Sequence, residues 1–578
     1  MGRGGTSRRR SSKGNRHTRS TRESARSGAA SPTIAAPSSA AIFFSILLIV
    51  GAGLVAFAPS LDNTFVQWDD VDNLVENEHI RSLSADNLHW MLRSDLIGVW
   101  QPLTWFITAV EYQLFDGENL PSFRRGLQYA SIFFHVTAGL LCYFISVQLL
   151  GRAMPRVAEQ SPTALIFGAA LAAVLFTVHP LRAEAVAWAS GQPYLLAANG
   201  CLASLLCYLR AVRTGRRRWH VLAIFFLTAS LMCKSIAVPL VAVFLLLDVY
   251  PLRRIGGFLH PGQPMLRCVL LEKIPYLIPT LVVIVLAARA NLATPDYQPD
   301  PPLVKSLIVS FCLVFYVGMS FVPMGIAPYY ARPHPIVDIV SDPWFLAAVA
   351  GVFVVTLVAI AERRRHPWLL CVWIGYCLFV APVAGFVLHG GQLAADRYTY
   401  LSCIGWAILV GGAAAKLWVR SRQGNRQRII RIPLVLIGTI AVIGLCYQTR
   451  SYCRDWRDSI SLFSAMVERN PDWPNGHYHL ARQYRRANDI KSAIRSYRRA
   501  VEIYPDYPEA NVNLGILLQS QGNLSEAEDH YRRALRGRPR FHMAHYNLGC
   551  LLYQQGVYLD AVEHFKQAEA DAVVNRPS

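Results

Sequence analysis

Long apolar stretches alternate with short polar ones along this chain, and that alternation predicts membrane helices. Apolar runs fall at 40–58, 126–150, 163–180, 195–212, 219–233, 235–251, 274–290, 305–322, 343–361, 367–388, 398–416 and 431–448. Each approaches the ~20 residues an α-helix needs to cross the hydrocarbon, with 219–233 short. Charge then orders them. With the N-terminus inside, the loop after the first run falls outside, while Arg210 to Arg218 and Arg253 to Lys273 fall inside, where basic loops belong. If every run crossed, Arg363 to Arg365 and the cluster from Lys416 to Arg431 would lie outside. Leaving out 305–322, which opens on Lys305 and closes into the Pro- and Tyr-rich stretch Val322 to Pro335, returns both clusters to the cytoplasm. The prediction is about eleven spans, with the C-terminal region on the same side as the first loop.

Beyond the last run the periodicity changes. Offset by 34 residues from Pro474, Pro508 and His542, the chain superposes Leu480, Leu514 and Leu548, then Ala493, Ala527 and Ala561, then Tyr497, Tyr531 and Phe565. This is the tetratricopeptide pattern, in which small residues let paired helices approach and aromatics fill between them. The chain divides into a tail at 1–37, a membrane domain at 38–450 with a first loop at 60–125, and repeats at 451–578. The last begin with a half-repeat at 451–473 and continue from 474, 508 and 542. The fold class expected is all-α, a polytopic helical membrane domain followed by an α-solenoid. The solenoid's concave face suits an extended peptide or a partner, and a purely structural cap explains the same residues.

Composition narrows the function. Hydrophobic residues make up 53% and charged residues 16%, which marks a membrane protein. A net charge of +20 would suggest nucleic acid in a soluble chain, but here it sits in the tail and in loops between spans, so no nucleic acid is expected. The Arg- and Ser-rich tail cannot bury enough apolar surface to order itself. Its opening Met1-Gly2 with Thr6 fits a loose acylation pattern that a charge-anchored cytoplasmic tail explains equally well. The 12 cysteines stand singly in apolar runs, without metal-site spacing, and read as small apolar residues.

Five polar stretches remain for chemistry. FVQWDDVDNLVEN, Phe65 to Asn77, sets Asp69 and Asp70 just beyond the first span, among Asp62, Asp72, Glu76 and Glu78. Gln101 lies in Trp100 to Thr104. His179, Arg182 and Glu184 follow the third span, Lys234 separates two close spans, and Arg397, Tyr398 and Tyr400 open the penultimate one. Each alone reads as a solvated loop or a helix-end anchor. The predicted topology puts the acids and cations on one face. Carboxylates opposite fixed cations suit transfer from a phosphate leaving group: a base takes a proton from an acceptor hydroxyl while Arg and Lys stabilise the departing phosphate.

These stretches, with HPLRAEAV, CKSIAVPL, ADRYTYLSCIG and the repeats, resemble the transmembrane and tetratricopeptide repeat-containing proteins, GT-C-fold glycosyltransferases, over nearly everything from residue 40. The resemblance implies an inverting transfer of mannose from a polyprenyl-phosphate donor to Ser or Thr of extracytoplasmic proteins. It also implies an integral protein of the inner, plasma or endoplasmic reticulum membrane. Asp69 aligns with the first acid of the family's pair and takes the general-base role; Asp70 would orient the acceptor or help hold a divalent cation, with no obligatory metal. Arg397, backed by Arg182 and Lys234, would bind the donor phosphate, supported by His179, Glu184, Gln101, Tyr398 and Tyr400. Gln101, Gln192 and Ser235 depart from the family's usual Arg, Arg and Glu, and its Asp-Asn-Pro segment is not recognisable around Pro295 to Pro301. These departures point to a microbial relative. A lipid or cell-wall glycan as acceptor and a non-catalytic scaffold are the competing readings.

Overall fold

The computed structural model describes residues 1–2, 5, 39–255, 264–292, 300–332, 337–383, 392–421 and 427–574. The expectations for most of the basic tail and for the stretch 295–299 lie outside the described residues. The chain is all-α apart from a two-stranded contact, and it forms the predicted succession of apolar helices followed by a solenoid.

The membrane domain contains α1 (Ser39–Phe57), α2 (Pro102–Leu114), α3 (Leu120–Ala153), α4 (Pro162–Val178), α5 (Gln192–Thr214), α6 (Arg217–Cys233), α7 (Leu240–Val249), α8 (Pro264–Leu292), α9 (Pro302–Phe321), α10 (Pro343–Ala361), α11 (Pro367–Val380), α12 (Ile404–Arg420) and α13 (Gln427–Asp455). Among the described residues, 7 helices are long and apolar enough to cross a membrane singly, and 2 bent pairs pass together. The runs 235–251 and 367–388 yield helices of only 10 and 14 residues, and the short run 219–233 yields one of 17 that ends at Lys234. The packing centre is α4, against α1, α3 and α12. Its Ala- and Gly-rich face lets α12 approach until Gly168 and Gly411 meet backbone to backbone, where a Cβ on either would strike the other's carbonyl oxygen.

Two breaks shape one end of this bundle. After α4 the chain turns by 58° at His179-Pro180 into Pro180–Ala187, and before α12 it turns by 54° between Asp396–Ser402 and Ile404. Proline cannot continue the α4 ladder, and His179 Nδ1 accepts from Leu181 N at 3.3 Å, capping the new turn. Both bends fold charged residues back over the end of the bundle.

Helix α9 passes the length and hydropathy test for a span. Yet Asp300, before it, is ion-paired with Arg332, beyond it, at 2.8 Å. A 20-residue helix is ~30 Å long, so residues 322–331 must run back along it to bring Arg332 to Asp300. The return is fixed by β1 (Tyr330–Ala331), antiparallel to β2 (Gln392–Ala394).

The solenoid comprises α14 (Ser459–Arg469), α15 (Pro474–Arg486), α16 (Ile490–Ile503), α17 (Pro508–Ser520), α18 (Leu524–Gly537), α19 (His542–Gln554) and α20 (Tyr558–Val574). Helices α15, α17 and α19 start at the three predicted repeat origins. Small buried Ala493, Ala500, Ala527 and Ala534 bring helix pairs together around buried Tyr497 and Tyr531. The solenoid docks on the first loop. Thr64 N donates to the Arg457 carbonyl at 2.7 Å and Gln67 N to Ser459 Oγ at 2.8 Å. Trp68 packs against Phe463, His479 and Tyr329, and Tyr329 stacks on Trp473 at 4.2 Å. The repeats and the Asp69 loop thus lie on one side of the bundle.

Candidate active site

Asp69 and Asp70 are adjacent in sequence and opposite in environment. Asp70 is 0% exposed. Its Oδ2 accepts from Val66 N at 3.0 Å, and its Oδ1 accepts from Ser190 N at 2.9 Å and Ser190 Oγ at 2.6 Å. Burial raises its pKa, opposed by those donors and by the charge of Arg124. Asp69 is half-buried and accepts no hydrogen bond among the described residues. Burial is also the main reason its pKa lies above the ordinary carboxylate value; Arg397 and Lys234 pull it down, while Asp70 pushes it up. One carboxylate is a clamp and the other is held free.

Facing Asp69 is a group of cations and rings. The Arg397 guanidinium donates through Nη1 to Glu184 Oε1 and through Nε to the Tyr194 hydroxyl at 3.3 Å, while Arg397 N donates to Glu184 Oε2 at 2.7 Å. Trp188, Tyr194 and Tyr398 surround it with centroids 5.5, 5.9 and 5.0 Å from Cζ. Its Nη2 has no partner among the described residues. Lys234 caps the broken end of α6, which Thr104 Oγ1 steadies by donating to the Cys233 carbonyl at 3.0 Å. Its Nζ lies 5.1 Å from the Tyr194 ring and has no ion pair of its own among the described residues. Both cations lie against the Tyr194 ring, and Asp69 feels both. A free carboxylate opposite a free ammonium and an oriented guanidinium can accept a proton and hold an oxyanion at the same time.

Known proteins are similar to this chain in sequence. Tetratricopeptide repeat models match residues 512–573 and 481–522. Protein O-mannosyl-transferase TMTC4 of Homo sapiens is 24% identical over 506 residues, covering 78% of this chain and 65% of the relative. Protein O-mannosyl-transferase F38B6.6 of Caenorhabditis elegans is 22% identical over 459 residues, covering 76% and 59%. The relatives are protein O-mannosyltransferases. The chain spans less than two thirds of the length of either. The solved structure of MamA protein matches 21% of this chain and 68% of its own at 22% identity, with a TM-score of 0.19, too low to inform the fold.

The structure divides the residues singled out in the sequence into two layers. Asp69, Lys234, Arg397, Glu184 and Tyr398 come together. Asp70 does not join them: with both oxygens engaged at 0% exposure it can neither orient an acceptor nor open a coordination site, and its work is to hold the turn that presents Asp69. Arg182 is likewise set back. It is 2% exposed, its Nη1 donates to Thr399 Oγ1 at 3.1 Å, and it sits over the Phe176 and Tyr400 rings rather than in the open site. Tyr400 is fully buried and its hydroxyl bonds His135 Nδ1 at 2.6 Å. His179 caps its turn and bonds the Ser320 carbonyl at 3.2 Å, while buried Gln101 leaves its Oε1 unpaired. Among the described residues no group of three or more His, Cys, Asp or Glu could hold a metal ion.

Ser190, Tyr194 and Arg124 escaped the sequence reading. Arg124 Nη2 donates to the Ala187 carbonyl at 2.8 Å and its Nη1 to Gln128 Oε1 at 2.8 Å, bracing the Glu184 turn. A signal existed: Arg124, Gln128, Ser131 and His135 form a buried polar stripe at helical spacing on α3, and a polar stripe in an apolar helix needs internal partners. Ser190 and Tyr194 had no comparable mark.

Asp70→Asn should cost ~1–3 kcal/mol of stability, because an amide offers one acceptor oxygen where three donors converge and leaves at least one of them unpaired in the interior. Thermal unfolding in detergent checks this. An unchanged midpoint would return Asp70 to the solvent-facing role.

Proposed function

We propose that the chain is an inverting GT-C-type glycosyltransferase that moves mannose from a polyprenyl-phosphate donor to Ser or Thr hydroxyls of extracytoplasmic proteins. The observation that carries this reading is the half-buried carboxylate of Asp69, without a hydrogen bond among the described residues, facing Lys234 and Arg397. Asp69 accepts the hydroxyl proton as the acceptor oxygen forms its bond to the anomeric carbon. The bond from that carbon to the phosphate oxygen breaks, and its electron pair leaves on the phosphate. Lys234 and the open edge of Arg397 stabilise that charge, and a single displacement inverts the configuration. Glu184 and Tyr194 keep the guanidinium aimed.

Two further features support a lipid-borne donor and a protein acceptor. An apolar cavity between α3, α5, α7, α11 and α12, lined by Leu247, Trp368, Phe379, Leu401 and Gly405 among others, reaches the helix that follows Arg397 and suits a hydrocarbon chain. The solenoid grips the loop that bears Asp69. The test is purified chain with polyprenyl-phosphate mannose and a Ser/Thr peptide, read by peptide mass. A hexose increment that requires the donor supports the reading. Transfer only to lipid or glycan, or none with a folded chain, defeats it.

The same site sets the pH profile. Burial pushes the Lys234 ammonium down to about 8, so its charge is present below that pH and lost above it. Asp69, with its pKa raised, loses basicity on acidification earlier than an ordinary carboxylate. The rate should follow a bell whose alkaline limb falls near 8. Lys234→Arg, which stays charged, should move that limb upward; an unmoved limb would remove Lys234 from the phosphate role.

A further inference from the structure

The repeat face beside Asp69 carries positive charge that the protein does not neutralise. Arg482, Arg485 and Arg486 lie on one side of α15 at i, i+3 and i+4 spacing. Elsewhere in the solenoid Arg498, Arg499, Arg532, Arg536 and Arg538 each pair with an Asp or Glu at 2.6 to 3.4 Å. Among the described residues the three on α15 meet only neutral groups: Arg482 lies 5.7 Å from the Tyr478 ring centroid, Arg485 Nη1 donates to Asn513 Oδ1 at 2.8 Å, and Arg486 Nη1 donates to Gln67 Oε1. Glu509, the acid beside this face, is taken by Arg538 at 2.8 Å.

Position relates this charge to the chemistry. Gln67, held by Arg486, is two residues from Asp69. His479, one turn before Arg482, touches Trp68, the residue next to Asp69. Burial and Arg482 push the His479 pKa down to about 4, so the positive charge here belongs to the arginines alone. From His479 the same repeat register continues at Asn513 and Asn547. Each of those asparagines donates Nδ2 to the carbonyl four residues back, at 2.8 and 2.7 Å, leaving a second N–H for another acceptor. A ladder of amides one repeat apart meets the backbone of an extended chain, and the forks of three arginines meet carboxylates.

We propose that this face binds an extended acidic peptide, placing Asp or Glu residues on Arg482, Arg485 and Arg486 while the neighbouring Ser or Thr reaches Asp69. The inference rests on the reading of the chain as a protein glycosyltransferase for its purpose, but not for its test. Fluorescence anisotropy on the full chain in detergent reads binding without transfer. The probes are a labelled Ser/Thr peptide flanked by Asp and Glu and its Asn/Gln counterpart. The acidic probe should bind about ten-fold or more tightly, with the advantage shrinking at high salt. Arg482→Gln with Arg485→Gln should erase the advantage and Arg540→Gln, an exposed arginine in the turn before α19, should keep it. Arg485→Glu should shift preference toward a Lys-flanked probe, an outcome that a misfolded variant cannot produce. Equal binding of both probes, or a preference untouched by the α15 variants, would overturn the proposal. Displacement of the acidic probe by anionic phospholipid vesicles but not by excess unlabelled acidic peptide would also overturn it, making the face a membrane contact. Selective peptide binding without any hexose transfer would leave this inference standing and defeat the enzymatic reading instead.

Discussion

Asp69→Asn should lower mannose transfer by about 10²- to 10⁴-fold, the usual worth of general-base assistance, while leaving thermal stability where it was. The separation follows from geometry. Asp69 accepts no hydrogen bond among the described residues, so the amide removes no contact seen there, and Asp70 still holds the turn through Val66 and Ser190. What disappears is basicity and one negative charge in front of Lys234 and Arg397. The donor phosphate is itself an anion, so donor affinity should stay level or rise as turnover falls. The residual rate should also lose the acid limb of the pH profile. Three measurements decide the matter: transfer rate, donor Kd and melting midpoint. Parental transfer would make Asp69 a solvated loop residue. A parallel fall in rate, donor affinity and midpoint would make it structural. The contrast with Asp70→Asn, where stability falls first, is sharper than either variant alone.

That contrast was not legible in the chain. Helices, repeats and the meeting of acids with cations follow from periodicity and charge parity, which are local or additive, so the runs and the repeat origins at Pro474, Pro508 and His542 could be read directly. Which of two neighbouring aspartates points inward depends on Ser190, 120 residues away. Likewise Arg182 and Arg397 look alike as single arginines in polar interruptions of apolar runs. Their fates part because the bends after α4 and before α12 bring Glu184 to Arg397 and leave Arg182 among Phe176, Tyr400 and Thr399. Run length misleads in the opposite way at α9. Its composition is that of a span, and window hydropathy says nothing of the segment after it, which the pairing of Asp300 with Arg332 draws back along the helix.

Arg397→Lys should reduce transfer by about 10²-fold although it keeps the charge. The guanidinium divides its nitrogens: Nη1 meets Glu184, Nε meets Tyr194, and Nη2 has no partner among the described residues. An ammonium has one nitrogen. Drawn to Glu184, a carboxylate that is 1% exposed and has no other cationic partner among the described residues, it would stay there and leave the departing phosphate to Lys234 alone. Transfer should fall more than donor affinity, since the second cation matters most when charge develops on the leaving group. Glu184→Gln provides the complementary test. It frees the guanidinium from its anchor without removing it, so donor binding should persist while turnover drops through lost aim. Single-turnover rates with a saturating donor, set beside donor Kd, separate these outcomes. If Arg397→Lys transfers at the parental rate, the fork has no catalytic use and Arg397 only anchors the turn before α12. If both variants lose donor binding entirely, the Glu184 pair shapes the pocket itself, and aim is not its contribution.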